Sequence, residues 1–285
     1  MQQKIALIAL LAGTTAAGAG QSRSVVPPDD LVETLTFQGA RTLEVSNVSG
    51  SIRVVGYDGD DVEVVARKAI RADTDAGARE AGLPATLAIS DENGAIRIVA
   101  EPARRAGCGQ ESRGSHERWH RPAYRVDFDL RVPRGIELTL CTVTDGDIHV
   151  LGTSGDFDVE NVNGDVTMTD ARGAGRVVTV NGQVVVSFAE NPRAASLFRT
   201  VNGSIDATFR QSLSANLKMK TFNGGLFSDF EVVPLPRAAA AAPERRNGRF
   251  VYRGNSFTTV RAGDGGPELT FETLNGDVRV LRQEH

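Results

Sequence analysis

The tetrapeptide Thr179-Val180-Asn181-Gly182 recurs along this chain and dominates its organisation. Further copies of the Thr-apolar-Asn-Gly pattern begin at Thr200, Thr221 and Thr273. Another copy, Asn161-Val162-Asn163-Gly164, differs only in its first residue. Each copy leads into a run of alternating polar and apolar residues. Recurrence of one pattern at a regular period is typical of proteins built from repeated supersecondary units.

The spacing of the repeat glycines sets the size of the unit. The predicted structural turns lie at Gly146, Gly164, Gly182, Gly203, Gly224 and Gly276, at intervals of 18, 18, 21, 21 and 52 residues. The last interval equals one 21-residue repeat plus an insertion of 31 residues. Gly155 and Gly173 each follow a repeat glycine by nine residues, so one repeat comprises two strand-and-turn segments.

The alternation of apolar residues after each glycine predicts strands with one buried face. The predicted fold class is all-β: a repetitive β-solenoid, or single-stranded β-helix-like stack, with 18–21-residue repeats. An antiparallel β-meander is the alternative, because Asn-Gly between alternating runs is also a hairpin pattern. The predicted core residues of the repeats are Val162, Val166, Val180, Val184, Val201, Ile205, Leu274 and Val278.

The chain divides into three predicted regions. Residues 1–19 have the charged start, short apolar run and small-residue cleavage pattern of a signal peptide. Residues 30–135 form an irregular N-terminal β region with a loop insertion at 101–122, and strands are expected at 62–66, 87–89, 96–99 and 124–132. Residues 136–283 form the β-repeat region with a loop insertion at 233–248, continuous with the preceding region in one domain.

Composition narrows the function classes. The formal net charge is −4, which argues against nucleic-acid binding, since that requires a basic field. No later stretch is long and apolar enough for a membrane helix once the signal peptide is removed. The predicted location is therefore exported, in the periplasm or outside the cell at its surface.

These features together resemble a known family. Arg131-Val132-Pro133-Arg134-Gly135 runs into the repeats, and the chain closes on Gly263-Asp264-Gly265-Gly266-Pro267 and the repeat at Thr273. Over roughly residues 40–282 this resembles the bacterial DUF4097 "putative adhesin" family of β-strand-repeat proteins. The resemblance implies an exported protein of repetitive β architecture, and it brings no catalytic residues with it. The insertions at 101–122 and 233–248 depart from the family pattern.

The candidate surface-binding residues lie in the first insertion. Guanidinium groups and an indole could bind an anionic glycan, a lipid headgroup or a wall polymer, and the candidates are Arg104, Arg105, Arg113, Arg118, Trp119 and Arg121. The candidate partners are a cell-surface polymer or an envelope protein. The competing interpretation is a solvated insertion in an arginine-rich chain.

Three other groups of residues give weaker evidence for a disulfide, a metal site or an active site. Cys108 and Cys141, the two cysteines, are a candidate disulfide in an oxidising compartment. Repeated Asn-Gly-Asp triplets suggest calcium ligands, but turn-forming roles account for them better, and no metal or cofactor is expected. Asp156 and Asp158 form the carboxylate pair of a possible glycosidase, but no aromatic groove accompanies them. The sequence thus predicts a non-enzymatic adhesin or structural envelope component. The alternative is a periplasmic ligand-binding or sensing accessory protein linked to envelope stress.

Overall fold

The computed structural model describes residues 31–70, 87–100, 124–236, 244–246, 249–251 and 257–284. In this part of the chain every regular element is a strand, so the all-β prediction is confirmed. Numbered along the chain, the strands are β1 (Leu31–Gln38), β2 (Thr42–Ser46), β3 (Ile52–Tyr57), β4 (Asp61–Ile70), β5 (Leu87–Glu92), β6 (Ala95–Ala100), β7 (Tyr124–Pro133), β8 (Glu137–Thr142), β9 (Ile148–Leu151), β10 (Phe157–Asn161), β11 (Val166–Ala171), β12 (Gly175–Val178), β13 (Val184–Phe188), β14 (Ser196–Arg199), β15 (Ile205–Phe209), β16 (Ala215–Lys220), β17 (Leu226–Ser228), β18 (Val232–Pro234), β19 (Glu244–Arg246), β20 (Arg249–Val251), β21 (Thr258–Ala262), β22 (Glu268–Glu272) and β23 (Val278–Arg282).

The strands form two large mixed sheets and one separate hairpin. Sheet I has ten strands in the order β1-β4-β7-β3-β9-β11-β13-β15-β23-β17. Sheet II has eleven strands in the order β18-β21-β16-β22-β14-β12-β10-β8-β2-β6-β5. Among the described strands, β19 and β20 pair only with each other. The N-terminal and repeat regions of the chain thus contribute strands to the same two sheets.

From β8 to β15 the chain alternates between the two sheets, and strands of one sheet pair in parallel. Val166 pairs with Val184, 18 residues later, and Val184 pairs with Ile205, 21 residues later. A repeat unit is defined here as one strand of sheet II and the next strand of sheet I along the chain, as in β10 and β11. The sequence repeat therefore sets the strand register, because residues one repeat apart are partners.

The spatial order of the units differs from their order along the chain. The last unit, β22 and β23, lies between the β14–β15 unit and the β16–β17 unit. Near the other end, β6 and β7 lie beyond β2 and β3. Since neighbouring units offer the same backbone edge and corner motif, the sequence spacing alone does not identify which units are adjacent.

Antiparallel strands lie at three of the four sheet ends. In sheet I, β4 pairs with β7 and β1 pairs with β4. In sheet II, β5 pairs with β6, and at the opposite end β21 pairs with β16 and β18 with β21. Strand β17, at the remaining end of sheet I, pairs in parallel with β23.

The core lies between the two sheets and is built from alternate residues of each strand. Val166, Val184, Ile205 and Val278 are fully buried, as predicted. Four aromatic rings form a continuous cluster, in which Phe188 stacks on Phe209 and Phe198 stacks on Phe271, while edge-to-face contacts join the two pairs.

The predicted core positions inside the tetrapeptide are wrong. Val162, Val180 and Val201 are half-buried, and Leu274 is 46% exposed. These residues occupy the second position of the motif, at the corner where the chain leaves sheet II for sheet I. The strand alternation does not continue through this corner, so their side chains do not reach the space between the sheets.

Candidate functional site

The tetrapeptide forms the corner of each unit, and its first residue links that unit to its neighbour. Thr179 Oγ1 donates a hydrogen bond to the carbonyl of Gly164, and Thr200 Oγ1 donates to the carbonyl of Gly182. Seven such bonds, from a threonine or asparagine side chain to a backbone carbonyl, run along the corner at 2.8 to 3.0 Å. The pairs are Asn47 to Val126, Thr142 to Gly50, Asn161 to Gly146, Thr179 to Gly164, Thr200 to Gly182, Thr273 to Gly203 and Thr221 to Gly276. Six of the seven donor residues are buried, and the bond gives each of those six side chains a hydrogen-bond partner inside the protein.

The asparagines of the motif form a second, exposed ladder. In spatial order the ladder contains Asn163, Asn181, Asn202, Asn275 and Asn223. Each amide after Asn163 donates to the side-chain oxygen of the asparagine before it in this order, at 2.7 or 2.8 Å. Every amide of this ladder donates in the same direction, towards the β10–β11 unit, where Asn163 donates to the carbonyl of Val143. The third residue of the motif is therefore used for contacts between units.

The six predicted turn glycines lie where backbones approach closely. A Cβ atom placed on any of them would lie 2.0 to 2.2 Å from a carbonyl oxygen of the adjacent unit, at Gly146, Gly164, Gly182, Gly203, Gly224 and Gly276. Positive φ angles occur at Gly164, Gly203 and Gly276. Close approach thus excludes a side chain at all six positions, whereas positive φ applies to three.

The carboxylates after the glycines accept backbone hydrogen bonds. Asp147 accepts from the N–H of Asp165, Asp165 from Gln183, and Asp277 from Gly225. The hydrogen bond from the Gly225 backbone lowers the pKa of Asp277, with a further contribution from Arg279. In the described residues no group of three or more His, Cys, Asp or Glu side chains is placed to hold a metal ion.

The Asp156 and Asp158 carboxylates hold neighbouring strands together. Asp156 accepts a hydrogen bond from the N–H of Ala174 at 3.0 Å. Asp158 forms an ion pair with Arg176, which also contacts Glu160. Burial lowers the pKa of Arg176, but hydrogen bonds to Glu160 and Asp158 outweigh it, and the pKa is raised. Both carboxylates therefore have structural partners.

A polar cleft of about 580 Å³ opens on the outer face of sheet I. Its lining residues are Ser51, Arg53, Arg125, Asp129, Asp145, Gly146, Asp147, His149 and Asn163. Arg53 and His149 are register partners on adjacent strands β3 and β9, and both are exposed. Neither side chain has a hydrogen-bond or ion-pair partner among the described residues. The cleft thus presents a guanidinium and an imidazole side by side.

One wall of the cleft is held rigidly by Arg125. Its guanidinium makes two bonds to Asp127, at 2.7 and 2.8 Å, and donates to the carbonyl of Asp145 at 3.0 Å. Asp127 also accepts from the N–H and hydroxyl of Ser51. Partial burial raises the pKa of Asp127, but the hydrogen bonds from Arg125 and Ser51 outweigh it and lower the pKa.

Several predicted sites fall outside the described residues. These are the signal peptide at 1–19 and the candidate surface-binding residues Arg104, Arg105, Arg113, Arg118, Trp119 and Arg121. The chain re-enters the described structure at Tyr124, next to the cleft residue Arg125. Cys141 is 7% exposed and disulfide-bonded. Cys108, the other cysteine, also lies outside the described residues, so the pairing of the two stays a prediction.

The pairing of Arg53 with His149 was not predicted, although the sequence contains a clue to it. Each residue lies three positions after a repeat glycine, Gly50 and Gly146 respectively. Equal offsets place residues in register when the units are adjacent. Residues 48–54 are a degenerate copy of the repeat, and the sequence alone does not show that this copy lies next to the Gly146 repeat.

No family model and no curated protein matches the chain. Among solved structures, it is similar to a putative cell adhesion protein from Clostridium sporogenes, with 12% identity, coverage of 90% of this chain and 100% of that chain, and a TM-score of 0.42. It is also similar to a putative adhesin from Bacteroides fragilis, with 11% identity, the same coverage and a TM-score of 0.38. A putative lipid binding protein from Parabacteroides distasonis has 8% identity, coverage of 90% of this chain and 98% of that chain, and a TM-score of 0.31.

At TM-scores below 0.5 these likenesses carry no argument about function, and membership of the DUF4097 family stays a prediction. In the described part of the chain, no helix has the length and apolar character needed to cross a bilayer.

Proposed function

We propose that this chain is an exported, non-enzymatic adhesin or structural component of the bacterial envelope, folded as a β-solenoid. The observation that carries the proposal is the continuous corner ladder, in which seven side chains bond to carbonyls of adjacent units. Such a ladder ties the units into a rigid support. A rigid support suits display of a binding surface, because little conformational entropy is lost when the surface binds.

The polar cleft is the proposed recognition surface. Arg53 and His149 are exposed at adjacent register positions, and no described residue occupies their donor groups. A guanidinium group binds carboxylates and phosphates through paired hydrogen bonds. Asp129 and Asp147, also in the lining, offer acceptors for hydroxyl groups. This donor and acceptor set fits an anionic, hydroxylated cell-surface polymer.

The alternative is a periplasmic ligand-binding or sensing accessory protein. The volume of the cleft, about 580 Å³, favours it, since small-molecule sites commonly enclose about 300–1,000 Å³. In this case the cleft would bind one soluble anionic ligand, whereas an adhesin would bind many sites on a polymer.

The test compares binding of the protein, without residues 1–19, to envelope fractions and to soluble anionic sugars. The cleft variant carries Arg53→Ala and His149→Ala together. The control is Arg193→Ala, which removes a cation whose side chain is 90% exposed elsewhere on the surface. We expect the protein and the control to bind the envelope fraction and the cleft variant to lose binding.

Other outcomes separate the proposals. Saturable binding of a soluble sugar without retention on the envelope would favour the accessory protein. Equal retention of the cleft variant would remove the cleft from the site, and replacement of residues 104–121 by a Gly-Ser linker would then test the arginine-rich insertion. No retention of any form would overturn the adhesive role.

A further inference from the structure

Strand β17 is the last strand of sheet I in the described part of the chain. It pairs with β23 on one side, and its other edge, the open edge, pairs with no described strand, whereas antiparallel strands lie at the other three sheet ends. Those other edges also carry features that discourage pairing, such as Pro234 in β18 and the exposed Asp91 and Glu92 in β5. The sequence of β17, Leu226-Phe227-Ser228, contains neither a proline nor a charge.

The backbone groups at this open edge can be assigned from the pairing with β23. Gly225 accepts from the N–H of Val278, and Asp229 donates to the carbonyl of Val280. In a parallel pair, alternate residues bond to one neighbour. Phe227 therefore bonds to β23, and the N–H and C=O groups of Leu226 and Ser228 face the open edge.

The corner ladders leave acceptors at the same end. Asn223 donates its amide to Asn275, so its Oδ1 is the terminal acceptor of the asparagine ladder. The carbonyl of Gly224 occupies the place where every preceding unit receives a threonine or asparagine donor, and no described residue donates to it. The terminal unit thus presents the acceptor half of one more Thr-x-Asn-Gly corner.

Apolar side chains at this end are unusually exposed. Phe222, in the second position of the terminal motif, is 65% exposed, and Phe227 on β17 is 52% exposed. The valines that occupy the position of Phe222 in central units, Val180 and Val201, are half-buried. An added strand would cover part of this aromatic surface while pairing with the open backbone.

We propose that the β17 edge docks an extended strand of another polypeptide, which adds in parallel and carries a Thr-x-Asn-Gly corner. The threonine would donate to the carbonyl of Gly224 and the asparagine to Oδ1 of Asn223. A second copy of this chain does not supply such a strand, because its Thr-x-Asn-Gly motifs are all bonded within its own fold. Addition of a strand to a sheet edge is an established mode of peptide recognition.

A labelled synthetic peptide with the sequence of residues 200–209 is the probe, and its binding to the full mature protein is followed by fluorescence anisotropy. The peptide begins at the threonine because β21 already lies beside β16, where a strand preceding the corner would pair. Ser228→Pro removes an edge N–H that the fold does not use, and proline is tolerated at such positions. Ser228→Ala is the matched control, because both changes remove the hydroxyl that bonds to Phe230. We expect saturable binding to the unmodified protein and to Ser228→Ala, and none to Ser228→Pro.

The peptide itself provides a second test that does not depend on folding of the proline variant. Thr200→Val and Asn202→Asp in the peptide remove the two donors with little change in shape. We expect these changes together to weaken binding by about tenfold. Absence of binding, or equal binding to Ser228→Pro and Ser228→Ala, would overturn the proposal. So would a protein dimer that Ser228→Pro abolishes, because the occupant would then be a second copy.

Discussion

The side-chain amide of Asn161 donates a hydrogen bond to the carbonyl of Gly146 at 2.9 Å, where five other units use a threonine hydroxyl. The repeat at Asn161 departs from Thr-x-Asn-Gly at its first residue and keeps the same contact. The exchange has a cost, because Oδ1 of Asn161 is buried and accepts no hydrogen bond from any described residue. A threonine hydroxyl leaves no such second polar atom.

We expect Asn161→Thr to stabilise the protein by about 1 kcal/mol, because the substitution keeps the donor and removes a buried, unsatisfied acceptor. Chemical denaturation with urea measures the change. The reverse exchange, Thr200→Asn, introduces the same unsatisfied oxygen into a regular unit and is expected to destabilise. A loss of stability in Asn161→Thr would show that Oδ1 has a partner in solution.

We expect Gly203→Ala to destabilise the protein by at least about 2 kcal/mol, as overpacking does. The new Cβ atom would lie 2.0 Å from the carbonyl oxygen of Gly182, and the φ angle of +157° is also unfavourable to a side chain. Gly135→Ala is the matched control, because its Cβ atom would have no neighbour within 4 Å. Thermal unfolding should separate the two variants, and equal melting temperatures would contradict the close-approach explanation.

The sequence predicted the strands well because their pattern is local. The alternation in Val184-Val185-Val186 follows from the two faces of a strand, and the strands expected at 62–66, 87–89, 96–99 and 124–132 all lie within strands of the structure. The same rule failed at Leu274, because alternation holds only within a strand and this residue lies at a corner.

The order in which the repeat units lie side by side could not be predicted from the sequence. Gly203 lies against Gly276 rather than Gly224, since the last unit inserts between two earlier ones. Each unit carries the same corner motif, so local chemistry permits either neighbour. The cleft could not be predicted for the same reason. Arg53 and His149 are 96 residues apart in the sequence, and they lie side by side because β3 pairs with β9.

We expect Phe198→Ala to destabilise the protein by about 3–5 kcal/mol, the usual result of emptying a buried aromatic site. Phe198 is fully buried and stacks on Phe271, with the two ring centroids 5.2 Å apart. Phe227→Ala is the control, because that ring is 52% exposed and its removal should change stability by no more than about 0.5 kcal/mol. Similar losses in both variants would place Phe227 in the core in solution.

The pKa of Asp127 gives a pH-dependent prediction. This pKa is lowered from its ordinary value of 3.8 in the folded protein, so the ionised carboxylate stabilises the fold. That contribution is fully present above the pKa of the unfolded chain and is lost as the pH falls through the lower, folded-state pKa. Asp127→Asn should therefore lower the melting temperature by a constant amount between about pH 5 and pH 7, and the difference should shrink below about pH 4.

Asp91→Asn, at an exposed position on β5, is the control. A difference between Asp127→Asn and the unmodified protein that grows towards low pH would contradict the assignment.

We expect Cys141 to be joined to Cys108, because Cys141 is disulfide-bonded in the structure and the chain contains two cysteines. Peptide mapping without reductant should recover a cross-linked pair of fragments that separates on reduction. Cys108→Ser and Cys141→Ser should each destabilise the oxidised protein, by about 2–4 kcal/mol for a typical disulfide. The two losses need not be equal, since Cys141 is also buried, but Cys108→Ser should have little effect in the reduced protein. Two titratable thiols in the denatured, unreduced protein would exclude the bond and would also argue against folding in an oxidising compartment.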